Sequence, residues 1–208
     1  MQTLLKEIER VLPDGGDWCD LGKAHTLATL VLALRPRIVV EIGVWMGGSL
    51  VPMLLAMKHI GAGRAIAIDP WSPTASAEGQ NDTNAAWWSG ADHERAYRKF
   101  LARLELHGLV HLCTICHRSS DLCEPPSEIQ LLHIDGNHGP QAIADVERFA
   151  SRVTMGGILV LDDVGWEGGN VHRAEQRAIE LGFRELYPLS TKHCERQGVV
   201  MQRKGFGQ

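Results

Sequence analysis

The 208-residue sequence has no apolar run approaching a membrane span, for which a helix needs about 20 residues, so no membrane partner is expected. It also lacks an arginine-rich run or basic face. Its 21 Lys and Arg are interspersed with 25 Asp and Glu, for a formal net charge of −4, which argues against a nucleic-acid partner. Cysteine is scarce and odd in number, five in all. That fits a reducing, cytoplasmic compartment better than a disulfide framework. No G-x-S-x-G elbow and no P-loop occurs, which removes the two enzyme classes built on those turns. There is no internal repeat and no low-complexity tail. Residues 1–10 carry Lys6, Glu7, Glu9 and Arg10 among apolar neighbours and read as an amphipathic helix, not as a signal peptide.

Glycine is plentiful, with 22 residues, many at the ends of apolar runs. An α/β fold that binds nucleotides needs tight turns and close backbone approach at those places. The length suits a single domain over 1–208 with a full core and N-terminal helices within 1–35. Helical spacing or caps predict helices over 22–34, 48–60, 92–107, 140–153 and 171–181. Short β-branched or apolar runs predict strands over 37–44, 65–68, 110–116, 129–134 and 158–161, with a closing antiparallel pair over 183–189 and 198–202. Residues 71–91 break the rhythm. They are rich in Ser, Gly, Asn and Asp, carry Trp71, Trp87 and Trp88, and read as a lid loop over a substrate or as a small satellite core. Alternating strands and helices predict a Rossmann-like, doubly wound, mostly parallel sheet with a C-terminal antiparallel hairpin. Ligands of such sheets bind beyond the carboxyl ends of the strands.

The residues just past each strand are therefore the ones that carry chemistry. After the first strand comes Glu41-Ile42-Gly43-Val44-Trp45-Met46-Gly47-Gly48-Ser49. Its glycines let the backbone approach a ligand, and the helix that follows offers free N–H groups. The same glycines also suit a plain strand-to-helix turn. Trp45 stands where a dinucleotide fingerprint has its middle glycine, which weakens a nicotinamide oxidoreductase reading. Asp69 closes the second strand and suits either a ribose diol or a surface turn with Pro70. Ser119, Ser120 and Asp121 follow the third strand, to line an adenine pocket or to cap a helix. Asp135, Asp162 and Asp163 end the fourth and fifth strands. If those strands are neighbours, three carboxylates converge, and their repulsion is relieved by an oxygen-preferring cation such as Mg²⁺. Otherwise they cap helices and bind water. Cys113 and Cys116, with His111 and His117 nearby, make a weak zinc pattern inside a strand-like run, without a second C-x-x-C.

Taken in order, Glu41-Ile42-Gly43, Gly47-Gly48-Ser49, Ile68-Asp69-Pro70-Trp71, His133-Ile134-Asp135-Gly136-Asn137-His138 and 156–163, from Gly156-Gly157 to Asp162-Asp163, resemble the small class I S-adenosylmethionine-dependent methyltransferases. Within them the pattern is similar to the metal-dependent sugar O-methyltransferases of antibiotic biosynthesis and to macrocin O-methyltransferase and cephalosporin-hydroxylase-like proteins, over about 37–166. The resemblance implies a cofactor, S-adenosylmethionine, held by Glu41, Gly43, Gly47, Ser49, Asp69, Ser119 and Asp135. It implies a Mg²⁺-like ion on Asp135, Asp162 and Asp163, and His138 as general base, because Asn137 stands where other members place an acid. The expected activity is metal-assisted methyl transfer to a hydroxyl of a small molecule, a sugar, polyol or catechol-like acceptor. A homo-oligomer and a non-catalytic binding protein of the same fold are left open.

Overall fold

The computed structural model describes residues 2–12, 18–166, 169–191 and 194–205. Met1, which the sequence reading includes in its first helix, lies outside them. The chain opens with α1 (Gln2–Val11) and α2 (Leu21–Leu34), followed by β1 (Ile38–Ile42), α3 (Leu50–Ile60) and β2 (Arg64–Ile68). Then come α4 (Pro73–Ala77), α5 (Asp82–Gly90), α6 (His93–Leu106), β3 (Cys113–Cys116) and β4 (Ile129–Ile134). The rest is α7 (Gln141–Phe149), β5 (Val153–Leu161), α8 (Val171–Glu180), β6 (Phe183–Thr191) and β7 (Cys194–Arg203). One seven-stranded sheet has the order β3-β2-β1-β4-β5-β7-β6. The first five strands pair in parallel, and β7 runs antiparallel to both neighbours.

Both faces of the parallel strands are covered, because successive side chains on a strand point to opposite faces. Val39, Leu131, Ile158 and Val160 join the core shared with α1, α2, α3 and α6, while Val40, Leu132, Leu159 and Leu161 join the core beneath α7 and α8. In α1, Leu4, Ile8 and Val11 fall on one stripe and are buried. Leu50 through Met57 of α3 are buried all round, which explains why that helix carries no polar face. From β1 the chain moves outward to β2 and β3, then returns to β4 on the other side of β1, so the order reverses between β1 and β4. Gly43 marks this point. Its φ is +85°, and a Cβ there would stand 2.0 Å from the Asp135 carbonyl oxygen. Gly43 N donates to Ile68 O at 2.9 Å and Asp135 N to Ile42 O at 2.8 Å, so the sheet's ladder continues into the loops that form the edge.

Three expectations change. Residues 71–91 are not a structureless loop: they form α4 and α5. Ser72 and Asn81 cap these helices by accepting from Ala75 N and Asn84 N, and Pro73 occupies the first turn of α4. Neither helix buries a residue, so no apolar period betrays them. Cys116 is bonded to Cys123 in a disulfide. This overturns both the zinc pattern with Cys113 and the argument from cysteine count for a reducing compartment. The third strand is shorter than expected, because 110–112 form a 3-10 turn before it.

Candidate active site

The C-terminal edge of β1, β4 and β5 buries an unusual set of ionisable groups. Glu41 and His133 lie opposite each other in the β1–β4 register, and both are fully buried. Ser49 Oγ donates to Glu41 Oε1 at 2.5 Å, while His133 Nδ1 lies 3.4 Å from Glu41 Oε2. Glu41 Oε2, both ring nitrogens of His133 and Asp162 Oδ1 have no hydrogen-bond partner among the described residues. Because Ser49 is turned to Glu41, its side chain does not cap α3. At that helix start Val51 N donates to Gly47 O at 3.0 Å, and Pro52 carries no N–H.

From above, the first turn of α2 reaches into the edge. Asp20 caps α2 by accepting from Lys23 N at 2.8 Å. The Lys23 ammonium then donates to Asp135 Oδ2 at 2.7 Å and to Asp162 Oδ2. Lys23 is 4% exposed. A cation at a helix N-terminus is disfavoured by the macrodipole and costs more when buried, so the two carboxylates are what hold it there. Burial works against the charged lysine, but Asp135 outweighs it and holds the Lys23 pKa above its ordinary value. Burial likewise opposes ionisation of Asp135, yet Lys23 and His133 bring it below the usual carboxylate range. Neighbouring Cys19 is made inert: burial first, then Asp135 and Glu41, push its thiol up to about 12, against the pull of Lys23.

Asp163 turns the other way, with φ +54°. It accepts from Gln197 Nε2 and faces His138, whose Nε2 lies 2.9 Å from Asp163 Oδ2. Opposite a carboxylate, Nε2 carries the imidazole proton and Nδ1 is the acceptor. Burial lowers the His138 pKa, but the hydrogen bond and charge of Asp163, with Asp135 beyond, overcome this and raise it above 6.5. A base whose conjugate acid is stabilised in this way suits proton removal near neutral pH.

A family model described as Methyltransferase domain matches residues 40–164, more than half of the chain. The chain belongs to this methyltransferase domain family. Among solved structures, the O-methyltransferase NovP shares 16% identity at TM-score 0.68, covering 89% of this chain and 81% of its own. The O-methyltransferase TomG from Streptomyces achromogenes, in complex with SAM, shares 16% at TM-score 0.65, covering 97% and 90%. An O-methyltransferase from Bacillus cereus in complex with SAH shares 16% at TM-score 0.59, covering 96% and 89%. These likenesses show the fold. No curated protein sequence matches the chain.

Within the methyltransferase domain, Glu41, Gly43, Gly47, Ser49, Asp69 and Asp135 gather around the ends of β1, β2 and β4 as expected, but several are turned inward. Asp69 is buried and accepts from the amides of Val44 at 2.9 Å, Trp45 at 2.8 Å and Trp71 at 2.7 Å. It braces the turn after β1 with the carboxylate expected to face a ribose. Burial raises its pKa against those three amides. Gly47, with φ +84°, packs on Phe100. Ser119 caps nothing with its side chain, whereas Ser120 is buried and donates to Asp145 at 2.6 Å. The three-carboxylate cluster does not form. Asp162 and Asp135 share an ammonium, and Asp163 serves His138. A different set, His133, Asp135 and Asp162, lies within 4.8 Å, with Lys23 on its two carboxylates. A Mg²⁺-like ion does not fit while that ammonium is in place.

Sequence reasoning missed Lys23, His133 and the role of Asn137, whose Nδ2 donates to Glu78 O at 2.7 Å and so ties the end of α4 to the edge. Lys23 had one readable signal: a cation in the first turn of an otherwise apolar helix. Of the expected tryptophans, Trp71 is buried against Phe100, and its Nε1 donates to Trp45 O at 2.8 Å. Trp87 and Trp88 pack with Trp18 and Trp45 at centroid distances of 4.9–6.3 Å. They form a satellite aromatic cluster over the turn after β1. Among the described residues, no helix is long and apolar enough to cross a membrane.

Proposed function

We propose that the chain is an S-adenosylmethionine-dependent O-methyltransferase acting on a hydroxyl of a small molecule. Membership in the methyltransferase domain family supports methyl transfer. Solved relatives named as O-methyltransferases, one with SAM and one with SAH, support the donor and the acceptor atom. The observation that carries the reading is the His138–Asp163 pair at the edge of β4 and β5. The interspersed surface charge, net −4, favours a small acceptor over a nucleic acid.

When bound, S-adenosylmethionine supplies a methyl group on a sulfonium sulfur. Asp135, partly exposed and ionised, offers an acceptor for its amino group. His138 takes the acceptor's hydroxyl proton as the oxygen–methyl bond forms and the sulfur–methyl bond breaks, and Asp163 stabilises the resulting imidazolium. His138 Nδ1 is buried and unpartnered among the described residues, so the edge must open for a hydroxyl to reach it. Fixing donor and acceptor in line at one edge supplies much of the rate gain in such transfers. Divalent metal has no part in this reading, because the ammonium of Lys23 already joins Asp135 and Asp162.

Calorimetry with S-adenosylmethionine and S-adenosylhomocysteine tests the donor, and labelled methyl transfer to a panel of catechols, phenols and polyols tests the acceptor. Absence of binding at millimolar ligand, or a thermal shift with NADH in its place, overturns the reading. Tight binding without turnover on the whole panel favours a non-catalytic binding protein.

A further inference from the structure

We propose that Lys23 is the resident cation of the strand edge: its ammonium stands where a divalent ion would have to bind, and it acts as a positioning residue that makes the protein metal-independent. The proposal deepens the methyltransferase reading and, for its catalytic consequence, rests on it.

The first argument is spatial. Lys23 Nζ lies 2.7 Å from Asp135 Oδ2 and also contacts Asp162 Oδ2. A metal bound to the same two oxygens would sit about 2.0–2.6 Å from each, in the volume that the ammonium fills. The second is that Lys23 is anchored. Its own amide is tied to the Asp20 cap, it occupies the first turn of a helix packed on α3, and its side chain is 4% exposed. Swinging it into solvent would require α2 to lift. The third is electrostatic. The ammonium offsets one of the two carboxylate charges, and a dication beside a buried ammonium is repelled strongly where the effective dielectric is low. The fourth is what remains without Lys23. His133, Asp135 and Asp162 bring one nitrogen and two oxygen donors within 4.8 Å, and both His133 nitrogens and Asp162 Oδ1 have no hydrogen-bond partner among the described residues. That is a donor set suited to Mn²⁺ or Zn²⁺. One side chain thus separates a metal-free edge from a metal-binding one.

The test uses Mn²⁺ itself as the probe, read by electron paramagnetic resonance on the full chain, and needs no acceptor. The wild-type protein should bind no Mn²⁺ at about 1 mM, weaker than dedicated oxygen-ligand sites. Lys23→Ala should gain Mn²⁺ binding by about tenfold or more, as expected when a ligand set is freed. Adding Asp135→Asn to that variant should remove the gain. In parallel, EDTA should leave wild-type affinity for S-adenosylhomocysteine, and turnover where an acceptor is known, unchanged within about twofold. Wild-type Mn²⁺ binding in the micromolar range overturns the proposal, as does loss of turnover with EDTA. If Lys23→Ala does not fold, Lys23→Ala/Asp162→Asn, which removes one buried charge of each sign, replaces it as a fold control. The wild-type Mn²⁺ and EDTA measurements then decide. Should wild type fail to bind S-adenosylhomocysteine, the methyltransferase reading falls while the Mn²⁺ measurements still judge Lys23.

Discussion

Two stretches of the same sheet edge hold buried carboxylates by opposite means. At the end of β2, Asp69 is held by the backbone: the amides of Val44, Trp45 and Trp71 converge on it. At the ends of β4 and β5, Asp135 and Asp162 are held by a side chain, the ammonium of Lys23. Amide donors are part of the turn's shape, so Asp69 and the turn after β1 specify each other and neither can change alone. A side-chain cation is a separable part, whose removal leaves the strands in place and the charges exposed to one another. The difference separates scaffolding from chemistry along one edge. Asp69 builds the cradle, whereas the Lys23 cluster and the neighbouring His138–Asp163 pair set its charge.

The comparison breaks most visibly in stability. Asp69→Ala leaves three buried amides without an acceptor, each costing about 1–3 kcal/mol. Denaturant unfolding should show a loss of about 4 kcal/mol, and no second substitution nearby should restore it. Lys23→Met should cost about 3–5 kcal/mol by leaving two carboxylates unpaired, and here a second substitution, Asp162→Asn, should recover part of the loss. Equal recovery in both cases, or in neither, would erase the distinction.

Activity sharpens the same contrast. His138→Ala should lower kcat by about 10²–10⁴-fold with cofactor affinity nearly intact, the usual range for a general base. Near-normal turnover would leave the imidazole a structural group. The pH profile gives a finer reading. With the His138 pKa raised above 6.5, turnover should climb as pH rises through that raised value. In Asp163→Asn, burial acts against Asp135 alone, so the midpoint should move to lower pH. The stability linked to this group has a defined sign: it is complete below the ordinary histidine pKa and lost as pH rises through the folded value. A midpoint that stays put in Asp163→Asn would detach Asp163 from the base. The smallest effect belongs to the far side of the sheet, where Cys123→Ser opens the short loop closed by Cys116 and Cys123. That should cost about 2 kcal/mol and leave the pH midpoint assigned to His138 unchanged, because the loop lies beyond β2, away from both charge clusters.

Much of the fold could be read along the chain. The run 129–134 is a strand to the residue, and 171–181 a helix to within one residue, because a continuous apolar run and a clean helical stripe are local signals. The two short helices in 71–91 escaped because they bury nothing, although Ser72-Pro73 and Asn81-Asp82 carried their caps. The edge itself was found, since strand ends can be located without knowing the sheet, and its carboxylates Asp135, Asp162 and Asp163 were named. What they do there was not readable. Lys23 is 112 residues from Asp135 and 139 from Asp162 in sequence, and helical periodicity reports only which face of α2 points inward.

By itself, then, the sequence determined the alternation of strands and helices and the chemical inventory of the edge: Glu41, Asp69, Asp135, His138, Asp162 and Asp163. Those follow from side-chain period, turn chemistry and the rule that ligands gather beyond parallel strand ends. Only the tertiary structure decided the partners. It turned Asp69 and Glu41 inward, sent Asp163 to His138, and set a lysine where a metal was expected. The reason is that burial makes each charge seek its nearest opposite within a few ångströms, and which opposite lies that near is settled by how α2 packs over the sheet.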